Sequence, residues 1–141
     1  MESDRSLLTN TRVTMASVIC HHRKNITFYL LHSGLSEKDY KPLAQLTADL
    51  GIDCRFLPIE LKDNAWKGLP VTKHLTEATY YRLSLPSLLP DVDKVICLDG
   101  NVLVLDDIQE IWDIDLTRHC CTAVEAYNQT HRLEMLSERG H

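Results

Sequence analysis

No apolar run in this 141-residue chain approaches the roughly 18 residues needed to span a bilayer, so no transmembrane helix is expected. The N-terminus lacks a charged region followed by an apolar stretch, so no secretory signal is expected. The five cysteines (Cys20, Cys54, Cys97, Cys120 and Cys121) contain no Cys-x-x-Cys pair. An odd count without a framework suits a reducing, cytosolic compartment. No basic stripe is present and the net charge is −5, so nucleic acid is not an expected partner. The local cationic cluster His21-His22-Arg23-Lys24 is short and reads as the positive end of a helix. Repeats and low-complexity segments are absent. What remains is 44% hydrophobic, enough for the core of one domain or part of one.

Apolar positions from Arg12 to His22 (Val13, Ala16, Val18, Ile19, Cys20) predict a half-buried helix with a loose pattern. Ile26–Leu31 is β-rich and mostly apolar, as expected of an inner parallel strand. Ser36 with Asp39 three residues on is a helix-start pattern, Leu43, Leu46 and Leu50 keep helical spacing, and Gly51 marks the stop. Pro42 predicts a restart or kink inside this helix. Ile52–Ile59 alternates as a second strand, and residues 60–75 read as a loop. Thr76 can cap a helix with Ala78, Tyr81 and Leu85 on its inner face; Pro86 ends or kinks it and Pro90-Asp91 turns. Val95–Leu98 and Val102–Leu105 read as further strands, Asp106 or Asp107 as the cap of a helix with Ile108, Ile111 and Trp112, and Cys121–Val124 as a weaker strand. Strands separated by helices predict an α/β fold: a mostly parallel sheet with helices on both faces. Without a strand before the first helix or a closing element after Val124, the sheet reads as incomplete. Ile26–Leu31 then presents an open edge, and self-association through that edge is expected.

Chemistry concentrates at Asp99-Gly100-Asn101, at the C-terminal end of an apolar run, where open α/β sheets bind ligands. In an extended strand, residues i and i+2 point the same way, so Asp99 and Asn101 could address one hard cation, Mn²⁺ or Mg²⁺, through oxygen. The small Gly100 allows close approach. Asp-Gly-Asn is equally a turn tripeptide between two short strands, and both readings stay open here.

Asn25–Glu37 and Leu75–Leu116 (with Thr79-Tyr80-Tyr81-Arg82-Leu83 and Leu98-Asp99-Gly100-Asn101 inside the second) resemble the retaining glycosyltransferases of family 8, the group of glycogenin and the bacterial lipopolysaccharide galactosyltransferases. The resemblance covers about residues 13–126. It implies an incomplete GT-A-like nucleotide-sugar domain over residues 1–141, lacking the family's first strand and C-terminal half. It implies transfer of glucose or galactose from a UDP-sugar, with retention and metal assistance, to a saccharide or glycolipid acceptor. Asp99 corresponds to the first acid of the family's metal motif, which touches metal and ribose; Asn101 stands where the family has Asp and weakens the expected Mn²⁺ or Mg²⁺ site. Gly100 lies between them on the donor side. Arg82 resembles the arginine that reaches donor phosphate or sugar. Asp4 keeps one position of the loop that holds uracil and ribose, and His74 and Glu125 fall on the acceptor side. The expected location of this chain is the cytoplasm, including the inner membrane face. The resemblance assigns no protein nucleophile. A catalytically inactive remnant that binds a sugar nucleotide weakly, or serves as an interaction module, is the alternative, and this chain alone is expected to be inactive. A flavodoxin-like module has no Gly-rich phosphate loop to support it.

Overall fold

The computed structural model describes residues 7–22, 25–50, 53–61, 68–70 and 77–123. Helix α1 spans Leu8–His21, starting four residues before the expected Arg12. Its buried face carries Thr11, Thr14 and Ser17 as well as Met15, Val18 and Ile19, whereas Val13 and Cys20 are exposed. Apolar periodicity registers only half of such a face, which is why the pattern looks loose. Thr11 Oγ1 donates to the Leu7 carbonyl at 3.0 Å, giving a buried hydroxyl an acceptor one turn back. At the other end His21 Nδ1 lies 2.9 Å from the Ser17 carbonyl; Arg23 and Lys24 lie outside the described residues.

Strand β1 (Ile26–His32) pairs in parallel with β2 (Cys54–Glu60), from Ile26 opposite Cys54 to His32 opposite Glu60. Both strands are entered through a left-handed residue, Asn25 (φ 50°) and Asp53 (φ 60°), types that tolerate this conformation. The Leu61 N–H donates to the His32 carbonyl at 2.8 Å. Along a parallel ladder alternate residues turn both backbone groups to the same neighbour. Leu30 therefore also bonds β2, Thr27 and Leu31 turn theirs away from it, and Pro58, opposite Leu30, directs its missing N–H outward. Proline is tolerated at such a position.

Helix α2 (Glu37–Leu50) starts as expected at Ser36, with a difference in bonding. The Ser36 N–H donates to Asp39 Oδ2 at 2.8 Å, and its hydroxyl also donates to that oxygen, at 2.6 Å. The helix runs through Pro42 without a restart; that ring is exposed and leaves the Lys38 carbonyl without its usual donor. Gly51 lies outside the described residues. Leu43 and Leu46 of α2 meet Met15, Val18 and Ile19 of α1 over Phe28 and Leu30 of β1, and this cluster is the core. Leu31, alternating with Leu30, is buried toward the opposite face, where the segment from Glu77 covers β1.

That segment differs from expectation. Glu77–Ser84 is a 3₁₀ helix, followed by a single α-helical turn, α3 (Leu85–Leu88). Tyr81 and Leu85 are half-buried; Thr76 and the Ala78 side chain lie outside the description. Pro86 sits in the first turn of α3, where an N–H would have no helical acceptor, so it begins a helix instead of ending one. The Pro90-Asp91 turn is present, with the Val92 N–H bonded to the Leu89 carbonyl at 3.1 Å.

Residues 92–98 carry no regular secondary structure, alternate half-buried with exposed, and enter no ladder among the described residues. Val95–Leu98 is therefore not the buried strand expected: Val95 is 37% exposed. Val102–Leu105 likewise forms no strand, with Leu105 76% exposed. A strand needs a neighbour to bond, and neither segment has one among the described residues. Asp107 caps α4 (Gln109–Trp112) as anticipated, its Oδ1 accepting the Gln109 N–H at 2.9 Å and lying 2.7 Å from His22 Nδ1. Cys121–Ala123 are irregular, and Val124 lies outside the described residues. No described helix is long and apolar enough to cross a membrane.

His32 closes β1 against the Tyr40 ring, with ring centroids 5.7 Å apart, and is buried. Its Nδ1 has no hydrogen-bond partner among the described residues. Burial lowers its pKa below the ordinary 6.5, against a smaller opposing pull from Glu60. The unfolded chain then takes the proton first, so this stability is complete above pH 6.5 and declines as pH falls toward the lowered folded-state value. Urea midpoints measured from pH 8 to 5 should fall on the acid side of 6.5, and His32→Gln should remove that part of the slope.

Candidate functional site

Arg82, near the end of the 3₁₀ helix, reaches Asp99 just after residues 92–98. Its Nη2 lies 3.3 Å from Asp99 Oδ1, and its Nε donates to the Thr79 carbonyl at 3.1 Å. The second bond holds the guanidinium from its own helix while Nη2 meets the carboxylate. Both groups reach solvent, Asp99 with 69% of its side chain. A planar donor fork beside an accessible carboxylate can bind an anion and a hydroxyl or cation next to each other.

Asp99-Gly100-Asn101-Val102 is a β-turn, closed by the Val102 N–H to the Asp99 carbonyl at 3.3 Å. Strand alternation therefore does not set the relation between Asp99 and Asn101. The backbone of this tripeptide forms the turn, without strands on either side, and leaves both side chains at the surface. It does not hang free in solvent. Gly100 is buried, and Thr14 Oγ1 of α1 lies 2.6 Å from the Val102 carbonyl and 3.1 Å from that of Gly100. One turn along α1, Ser17 Oγ accepts the Val104 N–H at 3.0 Å and donates to the Thr14 carbonyl at 2.8 Å. Two buried hydroxyls thus hold the backbone from Gly100 to Val104. Asp99 and Asn101 are left at the surface.

The structure brings Arg82, Asp99, Gly100 and Asn101 into one region. Asp4, His74 and Glu125 lie outside the described residues. No cluster of three or more His, Cys, Asp or Glu side chains suited to a metal occurs among the described residues. Beside Arg82 opens a cavity of about 660 Å³, lined in part by Leu85, Leu89 and Leu98.

Thr14 and Ser17 escaped the sequence reading. The available signal was hydroxyls at 11, 14 and 17, a three-residue spacing that keeps one helical stripe. The single Thr14 hydroxyl proton is shared between the Val102 and Gly100 carbonyls, and removing it takes this donor from the buried Gly100 carbonyl, a loss of about 1–3 kcal/mol. Thr14→Val should lower urea stability by that amount and shift the Gly100 amide resonance, whereas Thr14→Ser should retain the shift of the native chain.

Residues 1–139 match the sequence model of Glycosyl transferase family 8. The chain is 31% identical over 134 residues to General stress protein A of Bacillus subtilis, covering 94% of this chain and 43% of that protein. It is 27% identical over 132 residues to a lipopolysaccharide 1,3-galactosyltransferase of Salmonella typhimurium, covering 87% and 36%. It is 24% identical over 116 residues to the glycosyltransferase GlyE of Streptococcus pneumoniae, covering 80% and 28%. The chain thus spans less than half the length of these relatives, and no solved structure matches it. The match over nearly its whole length shows that the chain belongs to glycosyl transferase family 8.

Proposed function

We propose that this chain is the nucleotide-sugar-binding part of a hexosyltransferase that moves glucose or galactose from a UDP-sugar, with retention, to a saccharide or glycolipid acceptor. The observation that carries this reading is the solvent-accessible Arg82–Asp99 pair, held against α1 through the Gly100 turn. In the proposed complex the Arg82 guanidinium exchanges Asp99 for a donor phosphate, which it can grip with two parallel N–H bonds. The freed carboxylate of Asp99 accepts a ribose hydroxyl. Gly100 leaves room for the donor to approach the turn. The family membership and the name of the Salmonella relative support the hexosyl part of the reading.

A divalent cation fits in part. Asp99 and Asn101 offer hard oxygen donors, both exposed, and the remaining ligands must come from the diphosphate or from outside the described residues. When bound, such an ion, Mn²⁺ or Mg²⁺, neutralises charge on the leaving diphosphate. The thiols of Cys20, Cys97, Cys120 and Cys121 are free and exposed, which supports a reducing, cytoplasmic setting, including the inner membrane face.

Calorimetric titration of UDP into the chain with Mn²⁺ should show binding that weakens without the metal. Arg82→Ala should weaken it about 10–100-fold, the worth of a charged hydrogen bond. Stability should change by less than about 1 kcal/mol, because the pair is a surface one. Absence of UDP binding with and without Mn²⁺ would refute the reading. Spanning less than half of its relatives, the chain alone should turn over UDP-galactose and UDP-glucose no faster than a protein-free blank. Any rate above that blank refutes its inactivity.

A further inference from the structure

The N-terminal ends of β1 and β2 hold a smaller cavity of about 280 Å³, lined among the described residues by Asn25, Thr27, Asp53 and Arg55. The strand register explains how these four meet. Thr27 stands opposite Arg55, and Asn25 and Asp53 stand two places before them. Side chains alternate across a strand, and Phe28 and Leu30 turn to the core. Thr27 and Arg55 therefore share the other face of the sheet, half-buried and exposed respectively. Asn25 and Asp53 enter the strands side by side in the left-handed region, and both border the same space. Asp53 and Arg55 line no part of the larger cavity beside Arg82.

None of these four side chains is spent on the fold. None makes a hydrogen bond or an ion pair in the structure. Asp53 and Arg55 carry opposite charges about 6.6 Å apart along one strand, yet they do not pair. The guanidinium offers a planar fork of donors, the carboxylate accepts only, and the amide and hydroxyl can do either. Such a set decides the charge of its ligand. An anion on Arg55 would lie beside the Asp53 carboxylate, and a cation on Asp53 beside the guanidinium. A zwitterion meets both charges in its favour. A pyranose ring needs an apolar surface to cover it, and the described lining is polar throughout. At about 30 Å³ for each water-sized group, the cavity holds about nine non-hydrogen atoms.

We propose that this cavity binds a free α-amino acid. Its carboxylate lies on Arg55, its ammonium on Asp53, and a short polar side chain bonds Asn25 and Thr27. Carboxylate on guanidinium and ammonium on carboxylate are both charge-assisted bonds, the strong kind. The site is separate from the donor site, since neither Arg82 nor Asp99 lines it, and it stands or falls independently of the transferase reading.

L-Asparagine matches the size of the cavity and is the probe. Titrated into the full isotope-labelled chain at millimolar concentration, it should move the amide resonances of Asn25, Thr27, Asp53 and Arg55 saturably. N-acetyl-L-asparagine lacks the ammonium and L-asparagine amide lacks the carboxylate; each should bind about 10–100-fold more weakly, the worth of one charged hydrogen bond. Asp53→Asn keeps a residue type that tolerates the left-handed backbone and should weaken binding of the free amino acid by the same factor, as should Arg55→Gln. Absence of saturable shifts would overturn the proposal. So would a blocked form that binds as tightly as the free amino acid, variants that bind as the native chain does, or D-glucose binding at these residues with equal affinity.

Discussion

The fold of this chain turns on two hydroxyls. Thr14 and Ser17, on the buried side of α1, bind the backbone from Gly100 to Val104 across more than eighty residues of sequence. Val104 adds a packing contact against the core cluster. Val102 and Leu105 are exposed, and the 92–98 stretch enters no ladder. A buried hydroxyl must find a partner or lose stability, so α1 and the turn hold each other in place. Gly100 is drawn inward, and Asp99 is thereby left at the surface within reach of Arg82.

A second anchor works from the other side. The Lys94 ammonium donates to the carbonyls of Trp112 and Ile114 and lies 5.4 Å from the Trp112 ring centre. A cation at the C-terminal end of α4 also meets the negative end of its backbone. The 92–98 segment is thus held near its start by a charge and just beyond its end by hydroxyls, with a span between them that lacks main-chain partners among the described residues. Leu98 of this span and Val104 just beyond it pack against the core of α1, β1 and α2.

Much of this was legible. Strand β1, the Ser36–Asp39 start, β2 and the Pro90 turn follow from local chemistry, because each is decided by residues close in sequence. Helix α1 was seen only in outline, since its buried face is half hydroxyl and a hydrophobic pattern is blind to that. Val95–Leu98 has the composition of a buried strand yet forms none, because a strand is defined by its neighbour and composition does not reveal the neighbour. The Arg82–Asp99 contact was accessible through family resemblance, whereas the grip of Thr14 on Gly100 is a long-range contact that no local signal encodes.

Pro58 has a consequence for assembly. It stands in the middle of the outer border of β2, where a further chain laid alongside would find one amide missing and its row of bonds broken. Filaments built from stacked strands require each unit to offer two usable borders, so that every addition creates the next docking place. Here one border is interrupted, so growth by edge pairing is a terminating event and not a propagating one.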